Sequence, residues 1–465
     1  MFTMTFDGES KIPLYEQLYR RIRLAVESGD IKKYDKLPSK RKLAKHLQVS
    51  VFTVQNAYAQ LLAEGYLTSE EKRGYYVCAE PVKRGGQKII TPAIAPAVSQ
   101  TSSFVYDLKT NTVDTEHFPY SVWSRLMRET MRENPAVLLH TMHPQGNRDL
   151  RMEIANYLRS FRDVAIRPEQ IILGAGIEYI IGLITELLPE AVFAFEDPGY
   201  PKIKKILESR RMDTVPVPVD QGGICVDRLA QTNATAVFVT PSNHFPTGAV
   251  MGIGCRRQLI EWANQEDKYI IEDDFNSELR FVLKPIPALQ SLGTGEKVVY
   301  INSFAQTLAP SLRIAYAVLP ERLLERYQAA LMFYSCTVSQ FEQFTLKRFL
   351  RDGYYERHLG RMKTVYKNRQ SAFIDGLLPI KNTVTVDGQK AGLHLRIKSA
   401  RLTEQELVQT ASEKGVRVYP FSDYYAAPPP ETNTVVVGFA GYTSDELRKA
   451  AELLCLAWGS NRFID

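Results

Sequence analysis

The chain has 465 residues, of which 45% are hydrophobic and 24% are charged. This composition is typical of soluble globular proteins, and the length favours one large domain with a small companion. No apolar run is long enough to span a membrane, and the first residues lack the order of a signal peptide, so we expect a cytoplasmic protein. Five scattered cysteines fit neither a disulfide framework nor a metal site and are expected to be buried, reduced thiols.

A basic segment near the N-terminus follows a helical pattern. The net charge of +6 is unevenly distributed: between residues 32 and 45 the only acid is Asp35, whereas the basic residues are Lys32, Lys33, Lys36, Lys40, Arg41, Lys42 and Lys45. A charge run alone usually indicates a solvated helix face. Here it follows apolar residues at helical spacing, at positions 14, 18, 22 and 26, in a helix that Gly29 ends.

Two further short helices are predicted after this segment. Ser39 is a candidate N-cap for the second helix, and Ser50 is a candidate N-cap for the third. The start of the third helix presents outward Val51, Phe52, Thr53, Gln55 and Asn56. Short helices joined by a tight turn, with polar groups at the start of the last one, suit insertion into a DNA major groove. Residues 64–67 and 72–77 predict two strands around a basic turn, which is the arrangement of a wing.

The segments 13–15, 37–44, 49–50, 53–54 and 64–67 closely resemble the winged helix-turn-helix of the GntR regulators. The resemblance implies that lysines and arginines of the second helix and the wing approach phosphates, while polar residues of the third helix lie near bases. The candidate DNA-binding residues are Ser39, Lys40, Arg41, Ser50, Thr53, Gln55, Asn56, Lys72, Arg73 and Gly74. One departure is Val51, because the family usually has arginine there; base contact at this point is expected to be apolar or absent.

A linker is expected between this module and the rest of the chain. Residues 80–104 contain glycines, prolines and serines with little periodicity. A flexible tether of this length would span roughly 25 to 30 Å, enough for the small domain to sit on either subunit of a dimer. The expected domains are therefore 10–79 and 105–465.

The remainder alternates helical stretches with short apolar runs, at residues 170–173, 191–195, 236–239, 269–271 and 298–301. Apolar strands between helices predict an α/β domain with a mostly parallel sheet that is buried on both faces. In such a sheet a ligand lies at the carboxyl ends of the strands. Polar motifs follow each run, including residues 174–178, 196–201, 240–248, 272–278 and 303–313.

In this order and spacing, the motifs resemble the aminotransferase-like domain of the MocR subfamily of GntR regulators. That domain has fold type I of the enzymes that use pyridoxal phosphate (PLP). The resemblance covers essentially the whole chain. It implies PLP held through a lysine, an amino compound as effector, and a head-to-tail homodimer with swapped DNA-binding domains.

The phosphate-binding end of the implied PLP site is partly intact. Backbone amides of Ile177 and Glu178 at a helix N-terminus are suited to an anion. By the resemblance, Ser303 and Arg313 match a phosphate-binding hydroxyl and arginine; a surface ion pair is the less favoured interpretation of Arg313. Tyr200 matches the residue that stacks on the pyridine ring, with simple core packing as the alternative. Asp273 matches the carboxylate that pairs with the ring nitrogen, with a helix cap as the alternative.

The reactive end departs from the family. Gln306 stands where the resemblance places the lysine, and an amide is not nucleophilic. Phe275 replaces a tyrosine, Ala305 replaces a serine, and Val436 replaces an arginine that clamps a substrate carboxylate. Four changes together favour natural divergence over a single engineered replacement. The loops also contribute Lys202, a possible anion ligand, and Asn243 to the predicted pocket.

Three functions follow as alternatives. The favoured one is a dimeric DNA-binding regulator whose large domain senses a small molecule and has no catalytic residues. The pocket would then bind PLP or another B6 vitamer noncovalently, or a different ligand, such as an amino compound or a phosphate-bearing molecule. The others are a working PLP transaminase with a DNA-binding appendage, and a regulator whose large domain only dimerises.

Overall fold

The computed structural model describes residues 6, 12–71, 73–80, 104–265, 267–281, 286–293, 295–427, 429 and 432–459. The chain divides into two compact units, Met1–Thr101 and Ser102–Asp465. Of the sequence-based predictions, Lys72 and linker residues 81–103 lie outside the described residues.

The small unit contains three helices and a three-stranded antiparallel sheet. Its elements are α1 (Leu14–Glu27), β1 (Lys36–Leu37), α2 (Lys40–Leu47), α3 (Val51–Ala63), β2 (Leu67–Glu70) and β3 (Gly74–Val77). The strands lie in the order β1-β3-β2. Apolar residues of all three helices, including Leu18, Ile22, Leu43 and Val54, are buried together, as helical spacing of these residues requires. The predicted helices are therefore present, and so is the wing, although its first strand runs from Leu67 to Glu70 and was expected at residues 64–67.

The large unit is built on an eight-stranded sheet in the order β5-β12-β11-β10-β9-β6-β7-β8. Its strands are β5 (Ile171–Ala175), β6 (Phe193–Asp197), β7 (Thr214–Asp220), β8 (Gly223–Ile224), β9 (Ala236–Val239), β10 (Tyr269–Asp273), β11 (Val298–Ser303) and β12 (Ile314–Val318). Neighbouring strands from β11 to β7 pair in parallel, whereas β12 is antiparallel to both of its neighbours and β8 is antiparallel to β7. All five predicted apolar runs form strands of this sheet.

Helices cover both faces of the sheet. They are α4 (Tyr120–Glu133), α5 (Arg148–Arg162), α6 (Ile177–Leu187), α7 (Pro201–Ser209), α8 (Val226–Ala230), α9 (Ile253–Asn264), α10 (Glu321–Ala330), α11 (Gln340–Arg351) and α12 (Tyr354–Gly376). Successive side chains of β5 point to opposite faces: Ile171 and Leu173 pack in the core formed with α4, α5 and α11, and Ile172 packs in the core formed with α6 and α10.

A second sheet, with the strand order β13-β14-β17-β16, lies in the C-terminal part. The remaining elements are β4 (Tyr106–Asp107), β13 (Val384–Asp387), β14 (His394–Ser399), α13 (Glu404–Glu413), β15 (Val416–Arg417), β16 (Tyr419–Pro420), β17 (Thr434–Gly438) and α14 (Ser444–Trp458). Val436 is fully buried in β17, opposite Arg396 of β14.

The five cysteines differ from the expectation in one respect. All are free thiols, but each is only partly buried. Cys336, for example, is held at the surface of a core by Gln343, whose Nε2 lies 3.3 Å from the sulfur.

Candidate functional site

The two serines of the DNA-binding module cap helices. The hydroxyl of Ser39 accepts the backbone N–H of Lys42 at 3.3 Å, and that of Ser50 accepts the N–H of Thr53 at 3.0 Å. These bonds satisfy amide donors that the first turn of a helix leaves free. The side chain of Thr53 also contacts the Ser50 hydroxyl at 2.8 Å. The serines therefore fix the starts of α2 and α3, whatever they contribute to DNA contact.

Basic and aromatic side chains lie side by side on this module. Arg41 is exposed at the start of α2. The ammonium group of Lys40 lies 5.5 Å from the ring centroid of Tyr75 on β3, within cation–π range. Arg73 of the wing is exposed and lies 3.4 Å from Glu70, and Gly74, at φ 114°, begins β3 with a backbone angle that favours glycine.

The outward face of α3 carries both polar and apolar groups. Gln55 is exposed, while Thr53 and Asn56 are partly exposed. Val51 is 44% exposed and Phe52 is 69% exposed. An apolar pair at the first turn is therefore available for contact with bases.

In the large unit, a cavity of about 250 Å³ lies at one edge of the main sheet. Residues that come at or directly after the carboxyl ends of five strands line it, in β5, β6, β9, β10 and β11. Nine of the ten predicted pocket residues are among them: Ile177, Glu178, Tyr200, Lys202, Asp273, Phe275, Ser303, Gln306 and Arg313.

The tenth, Asn243, is not among the residues that line this cavity, so its place in the pocket stays a prediction. Its side chain is 1% exposed and packs against Gly392 of the C-terminal part, where a Cβ would come within 2.3 Å of its Nδ2. The loop after β9 directs Thr240 and Phe245 to the cavity instead. Spacing alone does not fix which side chains of an irregular loop point inward.

The anion-binding end of the cavity, at the start of α6, contains the carboxylate of Glu178. The carboxylate of Glu178 forms an ion pair with Lys202 and another with Arg313, whose Nη2 lies 2.6 Å from Oε2. Burial acts to raise the pKa of Glu178, but hydrogen bonds from Lys202, from its own backbone N–H and from Arg313 outweigh it and lower the pKa to about 2. Glu178 is therefore an anion at neutral pH.

Arg313 departs from the role favoured on sequence grounds. It lines the cavity, yet its side chain is 51% exposed and engaged in the ion pair with Glu178. Its backbone has φ 53°, which is uncommon for a residue with a side chain. The guanidinium also packs over Gly176, where a Cβ would lie 2.3 Å from Nη2. Gly176 thus permits the close approach of Arg313 to the start of α6.

The opposite end of the cavity carries Asp273. Within the described part of the chain, its carboxylate has no hydrogen-bond donor. Burial first, and then the charges of Asp274 and Glu272, raise its pKa to about 7. The helix-cap alternative for Asp273 has no support in the described contacts, which leaves the carboxylate available to a ligand.

Aromatic side chains form a wall of the cavity. The ring of Phe245 lies 6.0 Å from that of Tyr200 and 6.3 Å from that of Phe275, both in edge-to-face geometry. Gln306 lies nearby, and its Oε1 is buried without a hydrogen-bond partner in the described residues. This constellation offers flat apolar surface together with an amide.

A buried polar network behind the cavity was not found from the sequence. Asp274 Oδ1 accepts Arg162 Nη2 at 2.7 Å and the Ser242 hydroxyl at 2.9 Å, and Oδ2 accepts the hydroxyls of Ser277 at 2.7 Å and Tyr300 at 2.6 Å. The sequence signal was the doubled acid at positions 273 and 274. Successive side chains on a strand point to opposite sides, so only one of two adjacent acids can face the cavity. The other carboxylate is then buried on the far side and requires a cation and hydrogen-bond donors there.

Comparison with known proteins agrees with this arrangement. The family "Bacterial regulatory proteins, gntR family" matches residues 14–77, and "Aminotransferase class I and II" matches residues 105–454. The chain is 30% identical to the "Probable rhizopine catabolism regulatory protein MocR" of Rhizobium meliloti, over 97% of this chain and 95% of that protein. The chain belongs to the MocR type of GntR-family regulators.

Other relatives support the same family. The "Uncharacterized HTH-type transcriptional regulator YdeL" of Bacillus subtilis is 35% identical over 96% of this chain and 97% of its own length. These relatives are named as transcriptional regulators and not as enzymes. The kynurenine aminotransferase of Pyrococcus horikoshii, solved with PMP, matches 78% of this chain and 93% of its own with a TM-score of 0.70 at 21% identity, which shows the fold.

The regulator therefore combines a DNA-binding helix-turn-helix domain with an aminotransferase-like domain of fold type I, and such a fold implies binding of PLP or another B6 vitamer. Its residues fit only part of PLP. Asp273 and the aromatic wall supply a carboxylate and flat apolar surface that suit a pyridine ring, whereas Lys202 and Arg313, the cations suited to a phosphate, are already paired with the carboxylate of Glu178. Among the described residues, no group of three or more potential ligands could hold a metal ion, and no helix is long and apolar enough to cross a membrane.

Proposed function

We propose that the large domain of this regulator is a catalytically silent sensor, in which ligand binding controls DNA binding without a Schiff base to PLP. The observation that carries the proposal is the presence of Gln306 in the cavity, where the resemblance places the cofactor lysine. A glutamine amide hydrogen-bonds but does not condense with an aldehyde. No catalytic residue is assigned.

Among the described residues that line the cavity, Lys202 has the one side-chain amine. A working transaminase would have to form its Schiff base with this amine. Its ammonium group is held by the carboxylate of Glu178. An ammonium group in an ion pair is protonated and is not a nucleophile, which speaks against the transaminase alternative.

The sensor proposal requires that the ligand distinguish two arrangements of the protein. A ligand shifts such an equilibrium only by its differential affinity for the two states.

We propose domains at 10–79 and 105–465 with a linker at 80–104, and the two family matches support these bounds. The candidate DNA-contacting residues of α2, α3 and the wing would then bind operator DNA in one arrangement.

A homodimer with swapped DNA-binding domains is part of the proposal. An exposed aromatic pair on the surface of the aminotransferase-like unit supports it, because exposed apolar patches are suited to protein–protein contact. Leu139 is 81% exposed, and Phe333 is 76% exposed and stacked on Tyr334 at 4.4 Å. Sedimentation of the full chain tests the dimer directly.

Trapping with borohydride tests the silent sensor. The full-length protein is incubated with PLP, reduced with borohydride and mapped by peptide mass spectrometry, with Gln306→Lys as the matched variant that restores the amine. We expect no stoichiometric pyridoxyl adduct in the wild-type protein, at Lys202 or elsewhere. A stoichiometric adduct in the wild-type cavity would show that the site is covalent and would overturn the proposal.

A further inference from the structure

We propose that the cavity selects a flat, protonatable nitrogen heterocycle without a phosphate group, such as an unphosphorylated B6 vitamer, because the carboxylate of Glu178 already pairs with the cations that would bind a phosphate. This inference rests on the proposed sensor function and names the ligand class of the same site. Three features of the cavity carry it: the occupied anion position, the unpartnered carboxylate and the aromatic wall.

The anion-binding end of the cavity already holds a carboxylate of the chain. The N-terminus of α6, the guanidinium of Arg313 and the ammonium of Lys202 converge on one carboxylate, that of Glu178. Cations and helix N-termini are the groups that proteins use to bind phosphate. Here a carboxylate from within the chain already pairs with both cations and offsets one of their two positive charges, and the low pKa of Glu178, about 2, keeps the carboxylate charged throughout the physiological range.

A phosphate ester would have to displace Glu178 or share its partners. Displacement breaks the 2.6 Å bond to Arg313 and the bond to Lys202, and sharing places two like charges within contact distance. A single lost hydrogen bond between charged groups is enough for an effect of about tenfold on affinity. We therefore expect phosphorylation of a ligand to weaken its binding by about tenfold or more.

The unpartnered carboxylate selects for a protonated nitrogen. Asp273 lines the cavity, is only partly buried by accessible surface and receives no hydrogen bond within the described residues. Desolvation and the charges of Asp274 and Glu272 raise its pKa to about 7, and a bond from a protonated ring nitrogen would stabilise the charged carboxylate. A ligand nitrogen with a pKa in the same range would share one proton with the carboxylate.

The aromatic wall selects for a flat ring of limited size. Tyr200, Phe245 and Phe275 all line the cavity and present apolar ring surface to its interior. The volume of about 250 Å³ lies just below the range of about 300 to 1,000 Å³ that is usual for drug-sized ligands. One substituted six-membered ring suits this space. Phe275 lacks a hydroxyl, so it recognises the ring by packing alone.

Calorimetric titration of the full-length protein tests the inference. The probes are pyridoxine and pyridoxamine, each paired with its 5′-phosphate. In the wild-type protein we expect each unphosphorylated compound to bind about tenfold or more tightly than its phosphate. In Glu178→Gln, which removes the negative charge from the anion position, we expect the preference to narrow or reverse. Asp273→Asn should weaken all four compounds.

A matched control is Glu186→Gln. Glu186 lies on the same helix and pairs with Arg210 at 3.2 Å, and it does not line the cavity. It should leave the preference unchanged. Equal or tighter binding of the phosphates by the wild-type protein, or binding of none of the four probes, would overturn the inference. The borohydride experiment tests a different proposal. Tight noncovalent binding of the phosphates would contradict only the proposed ligand class. A covalent PLP adduct in the cavity would contradict the proposal that the domain is a catalytically silent sensor.

Discussion

Arg162 and Asp274 form a fully buried ion pair, with 2.7 Å between Nη2 and Oδ1. Asp274 directly follows Asp273, the last residue of β10, which lines the cavity. Each carboxylate oxygen of Asp274 also accepts a bond from at least one hydroxyl group, so the carboxylate is well satisfied. Such a pair contributes less than its geometry suggests, because both ions lost their hydration. Removing one partner is nevertheless costly.

Arg162→Met should therefore strongly destabilise the large domain. It leaves the Asp274 carboxylate buried without its cation, for which a loss of about 3 to 5 kcal/mol is typical. Thermal unfolding of the full chain measures it. The control is Arg167→Met, which removes an exposed partner of Glu321 and should leave the melting temperature essentially unchanged. Similar melting temperatures for the two variants would contradict the importance of the buried network.

Reversing the charge of α2 should abolish specific DNA binding. In the double variant Lys40→Glu, Arg41→Glu, repulsion replaces attraction to phosphates, and counterion release on binding is lost. We expect affinity for the protein's own promoter region to fall by about tenfold or more, with a shallower dependence on salt. Fluorescence anisotropy at two salt concentrations measures both. Lys205→Glu, at an exposed position of α7, is the control for added negative charge. Unchanged affinity of the double variant would refute the phosphate-contact assignment.

Phe52→Ala should weaken DNA binding without destabilising the fold. The side chain is 69% exposed at the first turn of α3, so its removal creates no cavity in the protein. The exposed ring is free to make apolar contact with a thymine methyl group or base ring, and this contact would strengthen DNA binding. Anisotropy with operator DNA and thermal unfolding are measured together. A fall in melting temperature that accompanies unchanged DNA affinity would assign Phe52 to packing instead.

Glu196→Gln should stabilise the protein at alkaline pH. Burial raises the pKa of Glu196 to about 8, far above the usual value near 4.5, so the folded state holds a proton that the unfolded state releases. This contribution is complete at low pH and is lost as the pH rises through about 8. An amide keeps the bond to the Thr240 N–H, 2.9 Å away, without a charge.

The measurement is the melting temperature between pH 5 and pH 9. At pH 9 we expect Glu196→Gln to exceed the wild-type protein by about 2 °C or more, since about 1 kcal/mol has this effect in a protein of this size. Near pH 5 the two should agree closely. A constant difference across the range would show that packing, and not titration, distinguishes the variants.

Much of the fold could be predicted because its signals are local. Ser39 and Ser50 precede helical patterns and cap them, and the apolar runs became strands because their length and β-branched residues suit a buried sheet. The place of the pocket followed from the rule that ligands lie at the carboxyl ends of parallel strands, whereas its individual residues were assigned from the family resemblance. These predictions needed no knowledge of distant contacts.

The parts that the sequence left open depend on residues far apart in the chain. Asn243 packs against Gly392, and nothing near position 243 records that neighbour. Glu178 was predicted to contribute its backbone amide, whereas its side chain is fixed by Lys202 and by Arg313, 135 residues away. The anion position thus looked intact in the sequence because each cation was present, and its occupant became visible only in three dimensions.

The carboxylate of Glu178 has a consequence for the domain before any ligand binds. Enzymes that hold two cations and a helix N-terminus for a cofactor phosphate gain stability from the bound cofactor by mass action. In this chain a counter-ion is part of the polypeptide, so Lys202 and Arg313 are paired as soon as the domain folds. The order of these two side chains therefore does not depend on a bound phosphate.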